Sequence, residues 1–514
     1  MALPYFLRNL VPHQEQRTNA RPLWTVLRSL TWLQWAQFFS GWLAWTCDAI
    51  DFFSVSLSVV HLQEQFNKPT HTITTSITLT LLFRSLGAVL FGVASDRFGR
   101  KWPLVFNLVL VAVLELGAGF VQTYPQFLAL RSIFGIGMGG IWGLASATAL
   151  ENLPVEARGI ASGFMQQGYA MGYLLAACIN LKLVPAVPAG WRALFFTAAG
   201  ISLFAAGVRA LLPESEYFLK AKAEERAKGL HRTTGEKSRI FLKETGVMLK
   251  THWMLCIYAV LLMTGFNFLS HGSQDLYPTY LQTSKNFTPH DSTIATIIGN
   301  CGAISGGVLA GYLSQYIGRR LTIIIFVLLI GAFIPLWIIP SSFGALSAGA
   351  FWVQFGVQGA WGVIPIQLAE MSPPAFRATF PGVAYQIGNM ISSASAQIEA
   401  TGGENLKTTI LKNGVPTVVA DYATVQGILI GCVAAFVIFI TIVGPENHGS
   451  HFEQAKTAFE EGAGRDAAAA SAAAGEGGVA ERERGSSVDE ESVGNEKGDV
   501  EVREKRSEEM KEKV

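Results

Sequence analysis

Long apolar stretches separated by short polar loops run through most of the chain. A helix that crosses a bilayer needs about 20 mostly apolar residues. Twelve stretches satisfy this: 32–58, 74–96, 102–122, 126–148, 158–182, 192–212, 253–278, 291–315, 321–340, 343–370, 376–400 and 423–444. The pattern predicts an all-α membrane protein with twelve transmembrane helices. The first stretch follows a polar, arginine-bearing leader with no short apolar core and no small-residue cleavage site, so it reads as a retained span. A polar segment divides the spans six and six. The expected organisation is a leader (1–31), a first six-helix half (32–212), a central loop (213–252), a second six-helix half (253–444) and a tail (445–514). The 401–420 segment reads as a polar external loop.

Basic residues orient the spans. The leader carries Arg8, Arg17, Arg21 and Arg28, the 96–101 loop Arg97, Arg100 and Lys101, the central loop Lys220, Lys222, Arg226, Lys228 and Arg232, and the 316–320 loop Arg319 and Arg320. The alternate loops hold few, such as Lys68 and Lys285. The positive-inside rule then places both termini and the central loop in the cytoplasm.

Composition agrees with this class. Half of the 514 residues are hydrophobic and only 15% are charged, against about 25% in soluble domains. The last 70 residues hold 28 of the 77 Lys, Arg, Asp and Glu side chains, 18 of them acidic. The body is therefore poorer still in charge. These figures exclude a soluble enzyme, a nucleic-acid binder and a disulfide-stapled domain. The tail, with its alanine run and mixed charges, cannot bury a core and is expected to be disordered. Its lysines (Lys497, Lys505, Lys511, Lys513) suit ubiquitin attachment, and Ser486, Ser487 and Ser492 suit phosphorylation; a merely solvated tail is the plainer reading. The five cysteines lie in apolar runs without a CxxC pair and read as packing residues. No cofactor or metal is expected.

The two halves repeat. Gly92, Asp96, Gly99, Arg100 and Lys101 match Gly311, Gln315, Gly318, Arg319 and Arg320 at a separation of 219 residues. Glu151 and Arg158 match Glu370 and Arg377, and Gly163 and Gln167 match Gly382 and Gln386, at the same separation. Two six-helix copies in one orientation resemble the layout of the major facilitator superfamily, whose substrate site lies between the halves near the midplane. The glycine–basic loops resemble that superfamily's signature. Glycines permit close helix approach at a tight turn, and the loops with their Glu–Arg partners are expected to latch the cytoplasmic side during rocking.

Ionisable residues inside spans are costly and mark sites by default. They are Asp48 and Asp51 in span one, Arg84 in span two, Glu115 in span three, Arg131 in span four, and His271 and Asp275 in span seven. All are candidates for one connected cluster. In span seven, Asn267, Ser270, His271, Gln274, Asp275 and Thr279 fall on one helical face. His271 and Asp275 are four apart, and a histidine beside a carboxylate can carry a proton near neutral pH. Packing against a neighbouring helix is the plainer reading of that face. Span eleven presents Gln386, Asn389, Ser393 and Gln397 similarly. Arg84 can grip a carboxylate in bidentate fashion, or it can form an ion pair with Glu115 or Asp51. Arg131 opens an R-x-x-x-G-x-G-x-G-G run. That run resembles the superfamily's span-four pattern, associated with proton coupling; an anchor at the outer end is the alternative. Trp32, Trp35, Trp42 and Trp45 read as interface anchors and packing, with Trp142 and Trp361 as weaker cavity candidates.

The string Asn267, Ser270, His271, Ser273, Gln274, Asp275, Thr279 meets every fixed position of N-x-x-[ST]-H-x-[ST]-Q-D-x-x-x-T. It resembles the signature of the fungal Jen-type monocarboxylate–proton symporters, and the likeness extends over about residues 30–445, including Asp48, Asp51, Gln166–Tyr169, Gln386 and Asn389. The resemblance implies a plasma-membrane symporter of lactate, pyruvate or acetate with protons. Arg84, Asn267, His271, Gln274, Thr279, Gln386 and Asn389 would then serve the substrate, and His271, Asp275, Asp48, Asp51, Glu115 and Arg131 the proton. No nucleotide-binding loop is present, so ATP is not the expected driver. The rival readings are a carrier of dicarboxylates, sialate or aromatic acids, since one fold hosts many ligands, and a non-transporting carboxylate sensor.

Overall fold

In the computed structural model the described residues are 22–150, 153–154, 157–214, 218–219, 234–373, 376, 379–412 and 415–445. Leader residues 1–21, Glu151, Arg377, the five named central-loop basic residues, the tail from 446 and the side chain of Asp96 lie outside them. Each apolar stretch is helical, and several of the helices outrun the hydropathy limits, because bilayer thickness, not helix length, sets the apolar run. Span one is Trp32–Phe66, opened by a capping box of Thr31 and Gln34 and closed by Asn67 at φ 48°. Among the described residues ten segments are long and apolar enough to cross a membrane. Spans ten (Phe343–Met371) and eleven (Thr379–Ser392 with Ser395–Asn405) complete the twelve.

Spans four, five, seven and eleven are each broken once. Span seven departs most from the sequence reading. It is not one helix to residue 278: it stops at Gln274, and a second helix runs Tyr277–Thr283. Pro278 is the cause. Its ring would clash with the carbonyl four residues back, and it has no N–H to offer there. That carbonyl is Gln274's, and the Tyr173 hydroxyl of span five donates to it at 3.2 Å. Thr279 therefore leaves the polar face of span seven and sits on the second helix.

Two further differences lie between spans. Within 401–420, span eleven continues to Asn405, and an antiparallel hairpin pairs Lys407–Lys412 with Val415–Ala420. The central loop contains the helix Thr234–Thr251, which has Glu236 in its first turn and Lys250 in its last, both favourable to the helix dipole. This helix and the transmembrane spans belong to two different compact units.

The halves meet through spans two and eleven and through spans five and eight. A Cβ on Gly163 would stand 2.7 Å from the Gly307 carbonyl oxygen and 3.0 Å from Gly311 Cα, so only glycine allows this approach. The repeat appears as matched hydrogen bonds. Gln167 donates to the Gln358 carbonyl at 3.4 Å, and Gln386, its counterpart, donates to the Gly139 carbonyl at 3.2 Å, with donors and acceptors both 219 residues apart. At one end His71 Nδ1 lies 2.8 Å from Glu404 Oε2 across the halves. Toward the other end the Ser162 hydroxyl donates to the Gly362 carbonyl at 3.1 Å and accepts from the Ile366 N–H at 3.0 Å. The halves are thus in contact at both ends.

Tyr173→Phe removes the only hydroxyl that reaches the Gln274 carbonyl among the described residues. The expected loss is about 0.6 kcal/mol and at most about 1.7 kcal/mol, read as a lower thermal midpoint of the purified protein in detergent.

Candidate functional site

Span one places Asp48, Asp51 and Phe52 on one turn, all buried. Arg84 Nη2 lies 2.7 Å from Asp48 Oδ2. Arg131 Nη1 lies 2.8 Å from Glu115 Oε2, and its guanidinium lies 4.0 Å from the Phe134 ring centre. Asp51 accepts from the Ser202 hydroxyl at 3.0 Å. The expected ion pair of Arg84 with Glu115 or Asp51 is therefore replaced by one with Asp48. Glu115 is already held by Arg131, so the two cations are shared out between two carboxylates. Each pair makes a single contact. Arg84 Nε and Asp48 Oδ1 have no partner among the described residues.

The second half builds a chain of hydrogen bonds whose direction can be deduced. The Gly139 carbonyl can only accept, so Gln386 presents Nε2 to it at 3.2 Å. Gln386 Oε1 then accepts from Asn389 Nδ2 at 2.9 Å. Asn389 is left with Oδ1 facing His271 Nε2 at 3.0 Å, so Nε2 carries hydrogen. His271 Nδ1 lies 3.0 Å from Asp275 Oδ2. With Nε2 protonated, that contact needs one more proton, on the imidazole or on the carboxyl. A proton held by the His271–Asp275 pair would complete that contact.

The two halves touch at this centre. The Phe52 and His271 rings meet edge to face at 5.5 Å, although the repeat places them at equivalent positions of spans one and seven. Ser85, next to Arg84, donates to the Gln386 carbonyl at 2.8 Å. Trp45, Tyr169, Trp361 and Tyr385 wall the narrow space beside His271. Trp45 is fully buried and lines this space three residues before Asp48 on the same helix, so of the two readings it packs inside the protein and does not anchor at the membrane surface. Trp142 stacks on Tyr385 at 4.7 Å.

Asn267 also lines this space, and the other expected site residues of span seven have partners of their own. Asn267 donates to the Met263 and Tyr385 carbonyls at 2.8 and 3.3 Å, joining spans seven and eleven. Gln274 accepts from Ser270 at 3.0 Å and donates to Gln354 of span ten at 2.8 Å. Thr279 is buried and its hydroxyl has no partner among the described residues. The expected single cluster is resolved into the Asp48–Arg84, Glu115–Arg131 and His271–Asp275 pairs. Sequence reading missed Tyr385, Gln354 and Gln358; the last two are polar residues four apart in an apolar run, which is the signal that would have found them.

At the end bearing the glycine–basic turns, Gly99 and Gly318 take matching left-handed values, φ 94° and 93°, which side chains other than glycine resist. Glu214 accepts from the backbone N–H groups of Arg100 and Lys101 at 2.9 and 3.1 Å, so it caps span three, a role not read from the sequence. Arg319 grips Glu370 through two contacts of 3.1 Å. Arg320 donates to the Thr441 carbonyl at 2.9 Å, Arg158 to the Leu153 carbonyl at 3.1 Å and Arg100 to the Ser95 carbonyl at 3.1 Å. Gly311 abuts Gly163, whereas a Cβ on Gly92 would meet nothing within 4 Å among the described residues, so close approach applies to one glycine of the matched pair.

A twelve-helix body in two repeated halves, with polar groups buried between them, defines a membrane transporter of the major facilitator fold and not an enzyme. Residues 23–459 match the family model described as sugar (and other) transporter, and the chain belongs to that family. It is 36% identical over 457 residues to a carboxylic acid transporter protein homolog of Saccharomyces cerevisiae, covering 87% of this chain and 73% of the relative. It is 26% identical over 379 residues to the cis,cis-muconate transport protein of Acinetobacter baylyi, covering 71% and 87%. The xylose transporter XylE from E. coli, in a partially occluded inward open conformation, superposes with a TM-score of 0.63 at 18% identity, covering 82% of this chain and 100% of that one.

Arg84→Ala strands the Asp48 carboxylate in the interior. The expected cost is about 3–5 kcal/mol, seen as a fall in the thermal midpoint of the purified protein. Adding Asp48→Ala is expected to restore most of that stability, and a double-mutant cycle measures the coupling.

Proposed function

We propose that the protein imports small monocarboxylates such as lactate, pyruvate or acetate together with protons across the plasma membrane, with both termini cytoplasmic. The observation that carries this reading is that Arg84, the cation suited to a substrate carboxylate, is already held by Asp48. An incoming anion can take Arg84 only if Asp48 gives it up, and a proton on Asp48 permits that. Anion binding and proton binding thereby become one event. The likeness to the yeast carboxylic acid transporter homolog supports the substrate class.

The cycle follows from the site. The His271–Asp275 pair, once protonated, completes with Gln386 and Asn389 the contact to the carboxylate held by Arg84. Asp51, Glu115 and Arg131 set the field around Asp48. Rocking of the halves exposes the site inward, Asp48 loses its proton, recovers Arg84 and expels the anion. One proton with one anion moves no net charge, so the pH gradient drives that stoichiometry. The Gly99–Lys101 and Gly318–Arg320 turns, with Arg158 and the Arg319–Glu370 pair, form the cytoplasmic latch that opens and recloses. The acidic tail serves turnover through ubiquitin attachment and phosphorylation.

A second reading, import of an aromatic or unsaturated acid, is favoured by the rings of Trp45, Tyr169, Trp361 and Tyr385 around the site. A dicarboxylate would want a second cation, and Arg131 is engaged by Glu115.

Uptake of labelled lactate in cells lacking their own carboxylate carriers tests the proposal. Uptake is expected to be higher at about pH 5 than at about pH 7, to collapse with a protonophore, and to be lost in Arg84→Ala and His271→Ala variants that reach the surface. Surface-localised wild type that ignores lactate but takes up benzoate or muconate establishes the second reading instead.

A further inference from the structure

Span eleven carries a carboxyl group that the cycle above leaves unused. Glu399 is fully buried, and both of its oxygens meet neutral groups. Oε2 lies 2.9 Å from Gln426 Nε2 of span twelve, and Oε1 lies 3.2 Å from Ser395 Oγ one turn earlier. Among the described residues no Lys, Arg or His forms an ion pair with it. An ionised carboxylate at this position would lack a counter-charge inside a span, which is strongly unfavourable. A neutral acid is fully satisfied there. With Oε2 accepting from the Gln426 amide, the acid hydrogen belongs on Oε1, where Ser395 Oγ, a hydroxyl able to donate or accept, keeps the contact.

The group also adjoins the His271–Asp275 pair. Ser395 Oγ lies 3.4 Å from where a Cβ on Gly272 would stand, and Gly272 follows His271 directly. Asp275 lies three residues beyond Gly272 on the same span. The titratable and charged groups on the packed elements include Asp275 and His271 on span seven, His71 on span two, which meets Glu404 beyond Glu399, Arg84 lower on span two, which is held by Asp48, and Asp421 and Tyr422 at the start of span twelve. At its own level span twelve presents only Gln426.

We propose that Glu399 is a second proton-carrying site, standing between the His71–Glu404 end of the transporter and the Asp275–His271 pair. Once the His271–Asp275 pair has released its proton, Glu399 gives up its O–H proton and the Asp275 carboxylate takes it up, Ser395 being the hydroxyl in contact with Glu399 on the side that faces Gly272. Glu399 ends ionised, Asp275 ends neutral, and Ser395 is unchanged. Glu399 is then reprotonated from the His71–Glu404 end. The inference rests on the proton-symport reading.

The test uses full-length protein reconstituted in vesicles with an internal pH dye, and lactate as the probe. Wild type, Glu399→Gln and Glu399→Asp are compared for pH-driven accumulation and for counterflow of labelled lactate. Glu399→Gln mimics the neutral acid but cannot release a proton. It is expected to keep counterflow and lose accumulation and lactate-linked proton entry, with Glu399→Asp restoring both. A Glu399→Gln variant with wild-type accumulation and pH profile overturns the proposal, as does one that loses counterflow as well, which marks a structural role. Wild type that moves lactate without protons fails the symport reading itself. Infrared spectra at neutral pH separate the two failures. Glu399→Gln is expected to lose one protonated-carboxyl C=O band, and an unchanged band overturns the proposal whatever the substrate.

Discussion

Charge in a place without water must be answered by charge or by hydrogen bonds from the protein itself, and the rest of this molecule is arranged around that requirement. Asp48 and Arg84 answer one another across spans one and two, and Glu115 and Arg131 do so across spans three and four. Neither pair is bidentate, so each leaves lone pairs and N–H groups unused. A buried pair is a poor source of stability compared with apolar packing of the same volume. Its retention at the centre of a transporter is better explained by exchange. A guanidinium with one loose partner can trade it for another anion at small net cost.

The repeat supplies the same scaffold twice and different chemistry on each copy. Gln167 and Gln386 make the same bond across the halves to Gln358 and Gly139, so the backbone framework is equivalent. Asp48 and Asn267 occupy one position of that framework, and Phe52 and His271 another. The buried Arg84 and Arg131 thus belong to the first half and the buried His271 to the second, with Phe52 against His271 where they meet. Neither half holds the whole device, so it works only when the two are together.

Twelve spans, the six-and-six division and the repeat were legible because bilayer thickness and helix period write themselves into residue spacing. The contact of His271 with Asp275 was legible for the same reason, being four residues apart on one helix. The partner of Arg84 was not, since it depends on the depth and rotation of span two against span one. Thr279 was misplaced because helical period was extended through Pro278, whose effect on the Gln274 carbonyl outweighs it. Glu399 escaped notice because an apolar boundary at residue 400 put it at the rim, whereas the helix runs on to Asn405. Glu214 lies outside every apolar run, so a search for charges within spans could not reach it.

The break in span seven belongs to both halves at once. Its freed carbonyl is answered by a hydroxyl from span five, so the bend in the second half is completed by a residue of the first. Whenever the halves part at this level, that carbonyl must find water or remain unanswered in a nonpolar setting. Separation there is therefore hydration-dependent: the joint can open only as fast and as far as solvent follows it in. The side from which water arrives then decides which face of the membrane the site sees, and a single proline ties the shape of a helix to the wetting of a cavity.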